Sequence, residues 1–221
     1  MHSTHLIVPA RTAAPMTEPL PIVFVVDDDV SVRESLELLI RFSQWQPQLF
    51  ESAQAFLGQP RSPVPSCLVL DINLPDLNGL DLQATIARRY PDTPIIFITG
   101  YGDIPLTVRA MKAGAVEFLT KPFNDDVLLA AIANALEKSR SLLGQEDQLR
   151  TLRTAYATLT PREQEVMTKV VAGQMNKMIA CDLAISEITV KAHRGKVMRK
   201  MKARSLAGLV KMAALLAMPL H

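Results

Sequence analysis

The sequence predicts an α/β fold: a five-stranded parallel, doubly wound (βα)5 domain over residues 21–140, joined by a helical linker, residues 141–157, to an all-α domain over residues 158–221. Three observations predict it. Short apolar runs without polar alternation recur in the front part, as strands buried on both faces require. Segments of helical periodicity separate these runs, which implies right-handed crossovers between parallel strands. Past Thr158 the pattern is wholly helical.

The elements follow in order. Residues 1–20 carry three prolines and no periodicity and read as a mobile leader. Pro21-Ile22-Val23-Phe24-Val25-Val26 is the first strand run. Cys67-Leu68-Val69-Leu70, Pro94-Ile95-Ile96-Phe97-Ile98 and Ala115-Val116-Glu117-Phe118-Leu119 are the others, with Gln48-Leu49-Phe50 as a weaker one. Helical spacing appears at Val32, Leu36, Leu39 and Ile40, and less cleanly at Leu80, Leu82, Ile86 and Ala87. It recurs at Val108, Ala110, Met111 and Ala113, closed by Gly114, and from Val127 to Leu136. Glu137 to Ala157 is polar and helix-compatible, with Gly144 either a break or a tolerated helix glycine. Thr160-Pro161-Arg162-Glu163 is a capping box with proline at the first helical position. Gly173 ends that helix, Asn176 starts the next, Leu183-Ala184-Ile185 turns, Ser186 caps a helix reaching about Met201, and Ser205 caps a last one.

Composition narrows the function. Of 221 residues, 48% are apolar and 21% charged, which is enough apolar material to argue against wholesale disorder. No stretch reaches the roughly 18 apolar residues of a membrane span. Leu6-Ile7-Val8 is too short for a signal-peptide core, so secretion is not expected. Cys67 and Cys181 stand far apart with no CxxC spacing, which excludes a disulfide framework or a cysteine zinc site and fits a reducing cytoplasm. The net charge of +2 hides a split: residues 1–140 sum to −5 and residues 141–221 to +7. Two domains with different partners are expected, the basic one a candidate for nucleic acid or simply a solvated basic face.

In an open parallel sheet, ligands bind beyond the carboxyl ends of the strands. The first strand ends in Asp27-Asp28-Asp29, the third in Asp71, the fourth in Thr99 and the fifth in Thr120-Lys121-Pro122. Several carboxylates in one crevice repel one another and call for a cation, and oxygen-only ligands favour Mg²⁺. Lys121 adds a positive point charge, and the Thr99 hydroxyl can donate to a phosphoryl oxygen. Acceptance of a phosphoryl group by a carboxylate suits the set. Taken singly, an acid at a strand end is also what a polar loop or a helix N-terminus favours.

Val26-Asp27-Asp28, Leu70-Asp71-Ile72-Asn73-Leu74-Pro75-Asp76-Leu77-Asn78-Gly79, Ile98-Thr99-Gly100 and Phe118-Leu119-Thr120-Lys121-Pro122-Phe123 resemble the receiver domain of two-component response regulators. Thr99-Gly100-Tyr101-Gly102-Asp103-Ile104-Pro105 through Ala110-Met111-Lys112-Ala113-Gly114-Ala115 is similar to the FixJ subgroup. The resemblance implies that Asp71 is the phosphorylated aspartate. It implies that Asp28, Asp71 and the Asn73 backbone carbonyl bind Mg²⁺, or another divalent cation such as Mn²⁺, with Asp27 acting through water. Asp29 is not expected as a direct ligand. Lys121, with a cis bond to Pro122, would contact the phosphoryl group. Thr99 and Phe118 would form a hydroxyl–aromatic switch pair, Phe118 also reading as plain core packing.

In the basic half, Val190, Val197 and Met201 form an inward stripe, Lys191, Ala192 and Gly195 share another face, and Lys196, Arg199, Lys200 and Lys202 add charge. Such a helix fits a major groove flanked by phosphates. Leu159-Thr160-Pro161-Arg162-Glu163-Gln164-Glu165-Val166, Gly173-Gln174-Met175-Asn176-Lys177-Met178-Ile179-Ala180, Ser186-Glu187-Ile188-Thr189-Val190-Lys191-Ala192-His193 and Ala203-Arg204-Ser205-Leu206-Ala207 resemble the LuxR-type helix-turn-helix. The resemblance puts Lys191, Ala192 and Gly195 towards the groove. Gly195 has no side chain to read a base, which leaves Lys191 as the best base contact, with Ala192 able at most to touch a thymine methyl. The expected DNA-binding set is Lys191, Ala192, Gly195, Thr189, Lys177, Lys196 and Arg199. His193 is expected to be packed and hydrogen-bonded within its helix. Lys177 and Arg194 read as phosphate contacts or solvated charges. The stripe Leu206, Leu209, Val210, Met212-Ala213 reads as a dimer contact or as core.

Together these features imply a cytoplasmic, phosphorylation-dependent transcription regulator. Its expected partners are a cognate sensor histidine kinase, promoter DNA bearing an inverted repeat and a second copy of the chain on phosphorylation, with RNA polymerase a further candidate. A Mg²⁺-dependent phosphotransferase or phosphatase is the rival reading. Against it, no second aspartate stands two residues after Asp71, no cap insertion encloses a substrate, and the basic half goes unexplained. A DNA binder whose receiver no longer takes phosphate is the third, opposed by the complete acidic set.

Overall fold

The computed structural model describes residues 19–100 and 104–216. Most of the leader, residues 1–18, and the Tyr101-Gly102-Asp103 part of the FixJ-like motif therefore lie outside the described residues. By its contacts the chain divides into two compact units, the first ending at Arg140 and the second beginning at Ser141.

The first unit is built on five parallel strands: β1 (Ile22–Val26), β2 (Gln46–Phe50), β3 (Ser66–Asp71), β4 (Ile95–Thr99) and β5 (Glu117–Thr120), in the order β2-β1-β3-β4-β5. Between them run α1 (Val30–Phe42), α2 (Ala53–Leu57), α3 (Gly79–Arg89) and α4 (Ile104–Lys112), and α5 (Asp125–Ala157) follows. The burial explains the apolar runs. Ile22, Phe24 and Val26 enter one core cluster and Val23 and Val25 the other. Leu68 and Leu70 against Cys67 and Val69, and Ile95 and Phe97 against Ile96 and Ile98, divide in the same way. Both faces of the sheet are covered, so neither face has polar positions to alternate with.

Four sequence expectations change. The fifth strand is Glu117–Thr120, later than its apolar run: Ala115 packs into the core, Val116 N donates to Ile95 O at 2.8 Å, and the paired register with β4 begins only at Glu117. The short helix α2 left no periodic signal. It is set by two caps, the Ser52 hydroxyl accepting from Ala55 N and the Asp76 carboxylate from Ala53 N and Gln54 N at 3.3 and 2.9 Å. In α4 only Ala110 is buried; Val108 and Met111 are exposed, so part of that stripe is surface. The expected linker, residues 141–157, is helical as read but continuous with the helix before it. Helix α5 runs without interruption through Gly144, and Leu152 packs into the core of the second unit with Val166 and Val197.

The second unit continues with α6 (Pro161–Val171), α7 (Asn176–Asp182), α8 (Glu187–Lys200) and α9 (Leu206–Leu215). The expected capping box is present: the Thr160 hydroxyl accepts from Glu163 N and the Glu163 carboxylate from Thr160 N. Ser186 and Ser205 cap α8 and α9. Gly173, at φ 81°, turns the chain after α6, a conformation glycine adopts without strain. Val190, Val197, Met201, Leu209 and Ala213 join one core. Of the final stripe, then, Leu209 and Ala213 are core.

Candidate functional site

The sheet order reverses at β1, which lies between β2 and β3, so a crevice opens beyond the carboxyl ends of β1 and β3. Asp27 follows β1 and Asp71 ends β3. One carboxylate oxygen from each of Asp27, Asp28 and Asp71 falls within 4.8 Å of the others. Asp27 is fully buried, Asp71 is 7% exposed, and Asp28 faces solvent. Lys121, just past β5, donates from Nζ to Asp27 Oδ2 at 2.7 Å and to Asp71 Oδ2 at 2.8 Å. Burial pushes the Asp27 carboxyl up from its ordinary value, against the downward pull of Lys121 and the Asp29 N–H. Burial disfavours the Lys121 charge as well, but its two carboxylate partners outweigh that and hold the ammonium above its ordinary value.

The surrounding backbone aims these groups. Asp71 Oδ1 accepts from Asn73 N at 3.0 Å, and Asp27 Oδ1 accepts from Asp29 N at 2.9 Å. Asp29 itself caps α1, its carboxylate accepting from Ser31 N at 2.8 Å. Lys121 N donates to Thr99 O at 2.7 Å, which fixes the start of the lysine's loop, and the Lys121–Pro122 bond is cis. Thr99 is buried, with its hydroxyl 3.5 Å from Asn73 Nδ2. Phe118 is half-buried beside Phe97, ring centroids 6.3 Å apart. The sequence pattern marks Gly79 only as the last residue of the Asp71 motif. A Cβ there would stand 2.8 Å from Ile72 Cα and 3.0 Å from Asp71 O, so only glycine lets α3 start this close to the Asp71 loop.

In the second unit, Lys191, Ala192, Gly195, Lys196 and Arg199 are all exposed along α8, and Lys177 is exposed on α7. Thr189 is half-buried at the helix start, its hydroxyl 2.8 Å from the capping Ser186 hydroxyl, so it is engaged in the cap. Arg194 donates to Asn176 Oδ1 at 2.5 Å and ties α8 to α7. His193 departs from expectation: it is packed, but its buried Nδ1 has no hydrogen-bond partner among the described residues. Lys200, expected as a surface charge, donates to Glu163 Oε2 and Thr158 O.

Residues 23–133 match the response regulator receiver domain, and residues 157–213 match the bacterial regulatory proteins of the luxR family. The chain is a response regulator. It is 52% identical to Nodulation protein W of Bradyrhizobium diazoefficiens over 87% of this chain and 85% of that one. It is 42% identical to the transcriptional regulatory protein FixJ of Rhizobium meliloti over 86% and 94%. Among solved structures it is similar to the response regulator StyR, with a TM-score of 0.78 and 44% identity over 89% of this chain and 99% of that one. A receiver followed by a LuxR-type DNA-binding domain is the architecture of phosphorylation-dependent transcription regulation in two-component systems. A sensor kinase and DNA are the partners this family implies for the response regulator.

Proposed function

We propose that Asp71 of this response regulator takes a phosphoryl group from a histidine of its sensor kinase and that the modified chain binds promoter DNA through α8. The observation that carries the reading is the Lys121 ammonium shared between Asp71 and Asp27. It holds a carboxylate oxygen of Asp71 at the mouth of the crevice and supplies a cation where phosphoryl charge would accumulate. In the transfer, the phosphorus–nitrogen bond to the donor imidazole breaks as a bond to an Asp71 oxygen forms. The donor set of Asp27, Asp28 and Asp71 is all oxygen and closely spaced, which fits Mg²⁺ or Mn²⁺. Asp28, Asp71 and the Asn73 carbonyl would hold the ion, with Asp27 through water. When bound, it neutralises charge developing on the phosphoryl oxygens.

The Thr99 hydroxyl would then donate to the phosphoryl group, and Phe118 would follow it inward as the switch partner. Lys191, Ala192 and Gly195 would face the groove, with Thr189 at the helix start. Lys177, Lys196 and Arg199 would meet phosphates. A homodimer formed on phosphorylation would match an inverted repeat, since a two-fold protein reads a two-fold site. Contact with RNA polymerase and residence in the cytoplasm complete the proposal, as does a division into residues 21–140, 141–157 and 158–221 as working units.

The test is direct. With acetyl phosphate and Mg²⁺, intact-mass spectrometry should show one added phosphate that Asp71→Asn abolishes, and mobility shifts on promoter DNA should tighten only for the chain that gains it. Phosphorylation of the Asp71→Asn chain at a comparable rate would overturn the assignment.

A further inference from the structure

Along α8 the inward positions Val190 and Val197 are buried, while Lys191, Ala192, Gly195 and Arg199, at three, four, seven and eleven residues after Ile188, are exposed with it. That spacing gathers them on one side of the helix. Ile188, at the start of this side, is 79% exposed. Packing gives no reason for a β-branched apolar side chain to stand in water there. Gly195 is equally unexplained by the fold. A Cβ added to it meets nothing within 4 Å, yet glycine inside a helix is less stable than alanine. The side is therefore apolar at its first turn, flat at its centre, and bordered by the exposed cations Lys191, Lys196 and Arg199.

A surface that complements this pattern carries negative charge on its rims and apolar groups recessed between them. The major groove of duplex DNA does so, because each thymine presents its C5-methyl group between two rows of phosphates. Neither Ile188, Ala192 nor Gly195 has a side-chain donor or acceptor for a base edge. At about 1.5 Å of rise per residue, Ile188 to Gly195 spans roughly 10.5 Å, close to three base-pair steps of about 3.4 Å.

We infer that Ile188 is a specificity-determining residue of this chain, reading the C5-methyl group of a thymine, with Ala192 beside it and Gly195 letting the helix approach the base edges. The inference rests on the proposed DNA binding by α8 and names how that binding discriminates. It adds to Lys191 a reader that hydrogen-bond reasoning from the sequence passes over.

The full chain, treated with acetyl phosphate and Mg²⁺, would first select duplexes from a randomised library. Each thymine of the selected site would then be replaced singly by deoxyuridine, which deletes the methyl group and keeps every hydrogen-bonding group. At one thymine per half-site the replacement should weaken binding by about fourfold, the expectation for one buried methyl. Ile188→Ala should bind the thymine duplex about fourfold or more weakly and show no further loss on the uracil duplex. Ile188→Thr, which keeps the branched shape, checks that any loss does not come from misfolding, alongside an unchanged thermal melt. If every uracil duplex binds the unaltered chain as well as thymine does, or if Ile188→Ala keeps the uracil penalty, the inference is overturned while DNA binding stands. If no sequence is enriched at all, the proposed function falls, and the inference with it.

Discussion

Lys200 Nζ lies 2.6 Å from Glu163 Oε2, joining the last turn of α8 to the capping box that opens α6. Glu163 is only 3% exposed, so its charge depends on this partner and on the Thr160 N–H. Lys200→Met strands a buried carboxylate and should destabilise the second unit by about 1–3 kcal/mol. The Lys200 hydrogen bond, and after it the Thr160 N–H, holds the Glu163 carboxyl below its ordinary value. A depressed native pKa contributes stability that is fully present above the unfolded value of about 4.3 and is lost as pH falls through the native one. Hydrogen exchange over residues 158–201 should therefore show acid destabilisation beginning near pH 4.5 and continuing below it, a slope that Lys200→Met flattens. The same slope in both chains would show that this pair is not its source.

Divalent cation affinity should depend strongly on Asp28, the exposed member of the three-carboxylate cluster. Its exposure means that Asp28→Asn leaves the core untouched, so binding can be read without a folding artefact. Removing one of a few carboxylates should weaken Mg²⁺ by an order of magnitude or more, since ligand charge sets affinity for a hard cation. Isothermal calorimetry on the unphosphorylated chain measures it; affinity unchanged by Asp28→Asn would rule out the ligand set.

Two glycines should respond in opposite directions to alanine. At Gly79 the new Cβ would press on Ile72 Cα and Asp71 O, backbone atoms that cannot swing aside, and Gly79→Ala should cost about 1–3 kcal/mol. At Gly195 the Cβ enters open space, and Gly195→Ala should stabilise the second unit by about 0.5–1 kcal/mol. Urea unfolding followed by circular dichroism separates the two, and a neutral Gly79→Ala would mean that α3 can back away from the Asp71 loop.

Local pattern in the sequence determined a great deal. Strand runs, capping residues and the positions of Asp27, Asp28, Asp71 and Lys121 at strand ends are properties of neighbouring residues, and periodicity and caps report those directly. The inward stripe of Val190, Val197 and Met201 was legible for the same reason. What only the tertiary structure decided depends on partners distant in the chain. Asp76 caps α2 from the loop after β3. Lys200 is drawn from the basic surface to Glu163. The Arg61 guanidinium sits over the rings of Phe24, Phe56 and Tyr90 at 4.3, 4.4 and 4.1 Å. A charged side chain carries no mark in its own segment of whether it will face water, a buried acid or an aromatic face; that choice is made when the elements pack, because the energy of a charge depends on its surroundings more than on its sequence neighbours.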